Sequence, residues 1–292
     1  MHTAESPAMT GVITVTVDQD APLRALVTLN ITTTTSSTGT TRRVSVVIPT
    51  LNEAANLPHV FARLPRDVHE VILVDGHSTD DTVAVARALY PAVRVVEQSR
   101  RGKGNALRCG FAACTGDIIV MLDADGSADG GEIQAFVEAL LKGADFAKGS
   151  RFARGGGSAD LTLLRRLGNL GLNTIVNLLY GTHYTDLCYG YNAFWAHCLP
   201  YMDVDCDGFE VETLINIRIA KAGLRVHEVP SFESRRIHGT SNLNAWRDGW
   251  RVLGTIVAER FPHLNRRAAP RLDLVKVEVE VAVESEREEA FA

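Results

Sequence analysis

Short runs rich in Val and Ile alternate with longer segments of helical period from Val44 onward. Four of these runs have the length of strands: Val44–Ile48, Val71–Val74, Val93–Val96 and Ile118–Leu122. The segments between them repeat their apolar positions at the three- and four-residue spacing of an amphipathic helix. Strands that alternate with helices are typical of an α/β fold, so the pattern predicts a mostly parallel, doubly wound sheet flanked by helices.

The pattern changes after Arg154. Three glycines at 155–157 lead into a helical stretch over Leu161–Tyr180, and a second amphipathic stretch spans Leu243–Phe261. Within the first stretch, residues 165–179 combine two adjacent arginines with a stripe of leucines, isoleucine and valine. Such a stripe either packs against the sheet or lies at an interface with lipid, and the pattern alone leaves both open.

The two ends of the chain offer little apolar surface to a core. Threonines and serines dominate residues 32–41, which predicts a flexible leader over residues 1–42. Near the other end, valines alternate with mostly charged residues, a pattern that fits either an edge strand or a disordered tail over residues 263–292. We therefore expect one main domain over residues 43–262.

Composition excludes several classes of protein. The chain has 292 residues, 46% of them hydrophobic, and a formal net charge of -5 with dispersed positive residues, which argues against a nucleic-acid partner. Five cysteines without a C-x-x-C pair indicate neither a disulfide framework nor a zinc site. Since no apolar run approaches the roughly 18 residues of a membrane span, we expect a cytoplasmic protein that is at most peripheral at the inner face of the membrane.

Two aspartates follow the fourth apolar run. In a strand, side chains two residues apart share a side, which predicts that the carboxylates of Asp123 and Asp125 point together at the carboxyl end of Ile118–Leu122. Ligands of open α/β sheets bind at that edge, and a hard divalent cation relieves the repulsion between two carboxylates. The alternative is a turn with a helix cap, which the same residues also favour.

Polar residues also follow the first two strands. The segment Pro49–Glu53 predicts a proline-stiffened turn that opens a helix and leaves backbone N–H groups free. At the tip of the second strand, Asp75 is placed to accept a hydrogen bond from a base or a ribose hydroxyl, or else to cap the turn that follows. Lys103, between two glycines before a helix, is placed to meet a phosphate, whereas the Walker A pattern of an NTPase is absent.

Taken in order, these segments resemble family 2 glycosyltransferases, and among them the dolichol- or polyprenyl-phosphate mannose synthases. The shared segments are P-T-L-N-E from Pro49, V-D-G-H-S-T-D from Val74, G-K-G from Gly102, D-A-D from Asp123, G-S-R from Gly149, T-D-L-C-Y-G-Y from Thr185, E-V-P from Glu228 and R-I-H-G-T-S-N-L from Arg236. The resemblance extends from about Val44 to Leu243. It implies the GT-A (nucleotide-diphospho-sugar transferase) fold.

The resemblance also implies roles for individual residues. Pro49, Glu53 and Asp75 are expected to contact the nucleoside of a nucleotide-sugar donor. Asp123 and Asp125 are expected to bind the donor and hold Mg²⁺ or Mn²⁺ against its diphosphate.

Further substrate contacts are expected from Lys103, Arg151 and Ser241. The expected catalytic residues are Asp125 and Arg236, which the resemblance implies, and Glu210, which is a candidate general base from its position at the start of a helix. Arg236 is expected to close over phosphates, because a guanidinium binds phosphate oxygens bidentately; its alternative role is a surface salt bridge.

Three positions depart from the family pattern. Gly76 stands where many members have a second aspartate, and Ser127 stands where some polyprenyl-phosphate enzymes have a third metal ligand. Asn242 replaces a lysine and removes one positive charge from the loop that follows Arg236. These departures affect base recognition, metal coordination and the lipid-phosphate assignment respectively.

The resulting expectation is an inverting hexosyltransferase that moves a sugar from a GDP- or UDP-sugar to a polyprenyl phosphate. A phosphate acceptor is already ionised near neutral pH, whereas a hydroxyl needs a general base, for which Glu210 is the first candidate, ahead of Asp207 and Glu212. The alternatives are a soluble small-molecule or glycan acceptor, and a nucleotidyltransferase. The latter usually carries a Gly-rich loop after its first strand, where this chain has Pro49–Glu53.

Overall fold

The strands and helices alternate through the first half of the chain. The structure is a computed structural model that describes residues 42–240 and 243–261. Its strands are β1 (Val44–Thr50), β2 (Glu70–Asp75), β3 (Arg94–Glu97), β4 (Ile118–Met121), β5 (Phe146–Ser150), β6 (Gly157–Ser158), β7 (Asn192–Trp195), β8 (Val226–Pro230) and β9 (Phe232–Glu233). Its α-helices are α1 (Leu57–Phe61), α2 (Thr82–Leu89), α3 (Lys103–Ala113), α4 (Ile133–Leu141), α5 (Leu163–Tyr180), α6 (Leu199–Met202), α7 (Val211–Lys221) and α8 (Ala245–Arg260).

Seven strands form one sheet in the order β3-β2-β1-β4-β7-β5-β8. All neighbours are parallel except β7, which runs antiparallel to both β4 and β5. The carboxyl ends of β1, β2 and β4 therefore meet at one edge of the sheet. The short strands β6 and β9 pair separately, in parallel. This architecture confirms the predicted GT-A fold with its mostly parallel sheet.

Alternate residues of the central strands face two helical layers. On β1, Val46 and Ile48 join the cluster that packs under α1, α2 and α4, whereas Val47 joins the cluster under α3 and α7. All three side chains are fully buried. Burial of an aliphatic side chain is worth about 1.5–3 kcal/mol, so these positions hold the strand in one orientation. Because side chains alternate along a strand, that orientation also decides which residues at its carboxyl end face the site.

Helices α5 and α8 attach through narrow apolar stripes. Val176 of α5 and Val252 and Ile256 of α8 pack together with Ile217 of α7. The Thr162 hydroxyl caps the start of α5 by accepting from a backbone N–H, and Asn244 caps α8 in the same way. The remaining faces of both helices lie at the surface.

Several boundaries differ from the predictions. Strand β1 continues through Pro49 to Thr50 instead of ending in a turn, and Pro49 lies beyond the last β1–β4 pair at Val47, a position where a strand tolerates proline. Strand β4 ends at Met121, so Asp123 and Asp125 lie in the loop and their placement does not follow the strand period. The leader and the tail lie outside the described residues.

Candidate functional site

Three charged side chains meet at the carboxyl edge of the sheet, and we call them the lysine cluster. The ammonium of Lys103 lies 2.7 Å from a carboxylate oxygen of Asp123 and 2.7 Å from one of Glu212. The Glu212 side chain is 5% exposed, that of Lys103 14% and that of Asp123 37%. The cluster therefore has a buried end at Glu212 and an open end at Asp123.

Contacts far apart in sequence bring Lys103 and Glu212 together. Lys103 begins α3, and Glu212 lies in the first turn of α7. The backbone N–H of Gly104 donates to the carbonyl of Asp207 at 3.0 Å, and the Arg100 guanidinium pairs with the Asp207 carboxylate at 2.7 Å. These bonds join the segments that lead into the two helices, so both first turns face the same point.

Gly190 closes the cluster from above. A Cβ atom at this position meets the Lys103 ammonium at 2.8 Å, an Asp123 oxygen at 3.1 Å and a Glu212 oxygen at 3.2 Å. A contact below 3.0 Å forces a neighbour to move, and here the neighbour is the ammonium of Lys103, so a side chain at position 190 would displace the lysine from its place in the cluster. The sequence offers one signal for this role, the glycine of the T-D-L-C-Y-G-Y segment.

The charges of the cluster depend on one another. Burial disfavours the ammonium form of Lys103, but the carboxylates of Asp123 and Glu212 outweigh it and raise the pKa of Lys103 above its ordinary value. Burial raises the pKa of Glu212, and the Lys103 charge only partly offsets that effect. Lys103 is thus held as a cation, and its charge favours the ionised form of Glu212 against the effect of burial.

Arg236 joins the ends of β1 and β4. One of its terminal nitrogens donates to both carboxylate oxygens of Glu53, at 2.9 and 3.1 Å, and the other lies 3.4 Å from Asp125. The backbone N–H of Ile237 donates to the Asp125 carbonyl, and Asn56 bonds the backbone of His238. The loop after β9 is therefore docked beside Asp125, while the predicted contact of Arg236 with phosphates stays a prediction.

The loops after β1 and β2 hold each other in place. The Asp75 carboxylate is buried and accepts from the Ser78 backbone N–H at 3.1 Å, which is the turn contact offered as its alternative role. The Asn52 side chain accepts from the Thr79 backbone N–H at 2.7 Å. Pro49, at the end of β1, is half-buried. The nucleoside contacts of Pro49, Glu53 and Asp75 stay predictions.

Arg151 occupies a second charged group, the arginine cluster, with Asp186 and Glu233. Its guanidinium donates twice to Asp186, at 2.7 and 2.8 Å, and once to Glu233 at 3.0 Å, while its plane lies over the Tyr189 ring. Asp186 is fully buried and also accepts from Asn169. The guanidinium therefore already makes three hydrogen bonds within the protein. Its predicted substrate contact stays a prediction.

The remaining predicted residues have separate surroundings. One Glu210 carboxylate oxygen accepts from the Gly208 backbone N–H, and the other is buried without a hydrogen-bond partner among the described residues. Ser241 and Asn242 lie outside the described residues. Sequence reasoning found Lys103 and Asp123 separately but missed that Glu212 joins them, and it assigned no role to Gly190.

The donor set at Asp123 and Asp125 fits a hard divalent cation. Both side chains offer carboxylate oxygens at the open edge, and each already attracts a cationic side chain, Lys103 or Arg236. Within the part of the chain that the structure describes, no three His, Cys, Asp or Glu side chains converge to hold a metal ion on their own. A cation at this place would take its other ligands from water and phosphate, as Mg²⁺ commonly does.

A cavity of about 200 Å³ lies beside the arginine cluster. It is lined by Arg151, Phe152, Gly157, Ser158, Leu161 and Arg166. The Arg166 guanidinium lies over the Phe152 ring and has no carboxylate partner among the described residues. Glu233, which pairs with Arg151, is followed by Ser234, whose N–H donates to the Ser127 carbonyl two residues after Asp125. The cavity is thus linked to the aspartate loop by a short run of chain.

Comparison with known proteins gives a family match, two similar proteins and a similar crystal structure. The family model for glycosyl transferase family 2 matches residues 45–198. Glycosyltransferase AglJ of Haloferax volcanii is 32% identical over 70% of this chain and 68% of its own length, and the polyprenol monophosphomannose synthase of Mycolicibacterium smegmatis is 33% identical over 70% and 82%. A crystal structure of the glucosyl-3-phosphoglycerate synthase of Mycobacterium tuberculosis, in complex with Mn²⁺, UDP and glucosyl-3-phosphoglycerate, superposes with a TM-score of 0.58 at 27% identity over 75% of this chain and 80% of that one.

Proposed function

The chain belongs to glycosyltransferase family 2, and we propose that it is an inverting hexosyltransferase that moves a sugar from a GDP- or UDP-sugar to a polyprenyl phosphate. The observation that carries this proposal is the pair Asp123 and Asp125 at the open carboxyl edge of the sheet, each beside a cationic side chain. Mn²⁺ in the complex of the similar synthase supports a divalent cation at this edge.

The donor end of the reaction follows from these charges. Asp123 and Asp125 would hold Mg²⁺ or Mn²⁺, which supplies positive charge to the diphosphate as it leaves. Lys103 and Arg236 add two positive charges at the same edge, where their N–H groups donate hydrogen bonds to phosphate oxygens. Glu53 orients Arg236 through two hydrogen bonds. Together these groups favour a transition state in which the diphosphate gains charge.

The acceptor end is proposed at the cavity beside the arginine cluster. Arg166 offers a guanidinium free of carboxylates among the described residues, and Phe152 and Leu161 add apolar walls. An anionic head joined to an apolar tail matches this combination. Two relatives, the polyprenol monophosphomannose synthase and an undecaprenyl-phosphate mannosyltransferase, support the same acceptor class.

The outer face of α5 supports contact with lipid. Leucines 163, 164, 167, 170 and 178 of this helix are between 56% and 80% exposed. Arg165 and Arg166 lie on the same helix, and helices at a membrane interface commonly combine apolar and basic side chains. None of the helices in the described residues combines the length and apolar character that a bilayer crossing requires. We propose peripheral contact at the cytoplasmic side of the membrane through this face.

A soluble phosphorylated acceptor is the second candidate. The similar synthase was crystallised with glucosyl-3-phosphoglycerate, whose acceptor part is small and phosphorylated. Transfer to a hydroxyl needs a general base. Glu210, just before α7, is the candidate, and one of its carboxylate oxygens has no hydrogen-bond partner among the described residues. An ionised phosphate acceptor needs no base, so the two candidates make opposite demands on Glu210.

A donor screen with two acceptors tests the proposal. Purified protein is incubated with Mn²⁺ or Mg²⁺ and a panel of GDP-, UDP- and dTDP-sugars, with either a short polyprenyl phosphate or 3-phosphoglycerate. We expect nucleoside diphosphate release and a sugar-linked lipid of inverted configuration with the polyprenyl phosphate, and little change in Glu210→Gln. Transfer to 3-phosphoglycerate alone, lost in Glu210→Gln, would replace the lipid with the soluble acceptor.

Vesicle flotation tests the membrane contact separately. We expect Leu178→Glu to reduce binding to vesicles that contain anionic phospholipid, because a charge on the outer face of α5 opposes burial in lipid. Leu141→Glu is the matched control, since Leu141 is an exposed leucine at the end of α4. Equal flotation of the two variants would contradict contact through α5.

A further inference from the structure

The two carboxylates that pair with Lys103 differ in their exposure to solvent. Lys103 makes equally short contacts of 2.7 Å to Asp123 and Glu212, yet Glu212 is almost completely buried and Asp123 is more than one-third exposed. A ligand that arrives at the edge of the sheet therefore reaches Asp123 and not Glu212. Only one of the two ion pairs is open to competition.

The surroundings keep Lys103 near Glu212. The first turn of α3 is joined to the segment before α7 through the Gly104 N–H and the Asp207 carbonyl, and Gly190 packs against the cluster. Loss of Glu212 would leave Asp123 as the only carboxylate partner of Lys103 among the described residues. Loss of Asp123 as a partner leaves the Glu212 pair intact.

We propose that Lys103, held in position by Glu212, is a built-in counter-ion that neutralises Asp123 until a divalent cation binds there, and that Lys103 then turns to the donor diphosphate. The inference rests on the proposed function in one respect, the binding of the cation at Asp123. Glu212 is a positioning residue, because it acts through Lys103. The arrangement couples cation binding to diphosphate binding: the same event that fills Asp123 frees a positive charge for phosphate.

A purely architectural role of Lys103 makes different predictions. If the lysine only ties α3 to α7, its removal lowers stability and leaves the affinity for the cation unchanged or reduced. A counter-ion competes with the cation, so its removal increases that affinity while it weakens nucleotide binding. Opposite changes in the two affinities are therefore the signature of the proposal.

The experiment measures Mn²⁺ binding to the protein without nucleotide, by electron paramagnetic resonance of the free ion. One unit charge beside a partly exposed carboxylate changes affinity by roughly tenfold. We expect Lys103→Met to bind Mn²⁺ roughly tenfold more tightly than wild type and Glu212→Gln roughly tenfold more weakly, because in Glu212→Gln the lysine pairs with Asp123 alone. With Mn²⁺ saturating, calorimetry with GDP and UDP should show roughly tenfold weaker nucleotide binding by Lys103→Met.

The chain offers matched controls. Lys142 and Glu138 form an exposed pair on α4, next to the opposite edge of the sheet, so Lys142→Met and Glu138→Gln should bind Mn²⁺ as wild type does. Lys103→Met leaves Glu212 buried without its cation, so the double variant Lys103→Met/Glu212→Gln removes both charges at nearly constant shape. The double variant should still bind Mn²⁺ more tightly than wild type.

Failure of this inference is distinguishable from failure of the proposed function. Mn²⁺ binding that is lost in Asp123→Asn but is unchanged or weaker in both Lys103→Met and the double variant would overturn the counter-ion and leave the cation at Asp123. Mn²⁺ binding that Asp123→Asn and Asp125→Asn do not alter would overturn the cation site itself, and the counter-ion with it.

Discussion

The lysine cluster and the arginine cluster each hold one cation between two carboxylates, but they differ in how far their main carboxylate is exposed to solvent. In the arginine cluster the guanidinium is 7% exposed and Asp186 is 0% exposed, and Asn169 adds a further hydrogen bond. In the lysine cluster Asp123 is 37% exposed. A buried carboxylate such as Asp186 can contact only other groups of the protein, so its ion pair stabilises the fold. An exposed carboxylate such as Asp123 can also contact a ligand from solvent. The comparison therefore supports the proposed ligand-binding role of Asp123 and an architectural role for Asp186.

The largest expected effect is on catalysis at the open edge. Asp125→Asn should lower the rate of transfer by about a thousandfold or more, because a divalent cation stabilises the leaving diphosphate by several kcal/mol. Nucleoside diphosphate release under saturating donor measures this rate. The melting temperature should change little, since Asp125 is partly exposed. An Asp125→Asn variant that releases nucleotide at the wild-type rate would contradict a catalytic role for the open edge.

The next effect is on stability at the closed cluster. Asp186→Asn should lower the free energy of unfolding by about 3 kcal/mol, because it leaves the buried Arg151 guanidinium without its bidentate partner. Urea denaturation measures the change, and Glu138→Gln is the control because its exposed ion pair is worth at most about 1 kcal/mol. Equal midpoints for the two variants would contradict an architectural role for Asp186.

A smaller effect is expected at the glycine that covers the lysine cluster. Gly190→Ala places a methyl group 2.8 Å from the Lys103 ammonium, so the lysine must shift. We expect roughly tenfold weaker binding of GDP or UDP in the presence of Mn²⁺, about 1.4 kcal/mol. Gly171→Ala on α5 is the control, since a Cβ there meets no atom within 4 Å. Unchanged nucleotide binding by Gly190→Ala would show that the position of Lys103 does not matter for the donor.

The smallest effect concerns acid. Burial opposes ionisation of Asp186, but hydrogen bonds from Arg151 outweigh it and lower the pKa of Asp186 below its ordinary value. A lowered folded-state pKa means that Asp186 stabilises the protein above the unfolded value of about 3.9, and that this contribution is lost as pH falls below it. Urea unfolding at pH 6 and pH 3.5 should show a smaller loss in Asp186→Asn than in wild type. Parallel losses would contradict the lowered pKa.

The sequence predicted local features of the site better than its long-range pairings. Asp123 and Asp125 follow a strand, and Lys103 lies between glycines at a helix start, so motif and period were sufficient to identify them. The partnership of Lys103 with Glu212 depends on the contact of Gly104 with Asp207, about a hundred residues away. No local pattern encodes such a contact. For that reason the sequence suggested a general base among Asp207, Glu210 and Glu212 and did not reveal the ion pair of Glu212 with Lys103.

The same limit applies to the rest of the fold. The parallel half of the sheet follows from strand and helix periods, but the insertion of β7 antiparallel between β4 and β5 does not, because a four-residue apolar run carries no direction. The Arg151–Asp186 pair joins residues 35 apart, with β6 and α5 between them in the chain, so the sequence could not show that the guanidinium is already engaged. For α5, an amphipathic pattern alone did not reveal that most of its leucines are exposed.

The central claim is that the open edge at Asp123 and Asp125 is where the cation and the diphosphate bind. An anomalous difference map from crystals grown with Mn²⁺ and GDP or UDP tests this claim directly. The account predicts a manganese peak in contact with both aspartates, with the diphosphate beside Lys103. A manganese peak elsewhere, with the two aspartates still paired to Lys103 and Arg236, would contradict it.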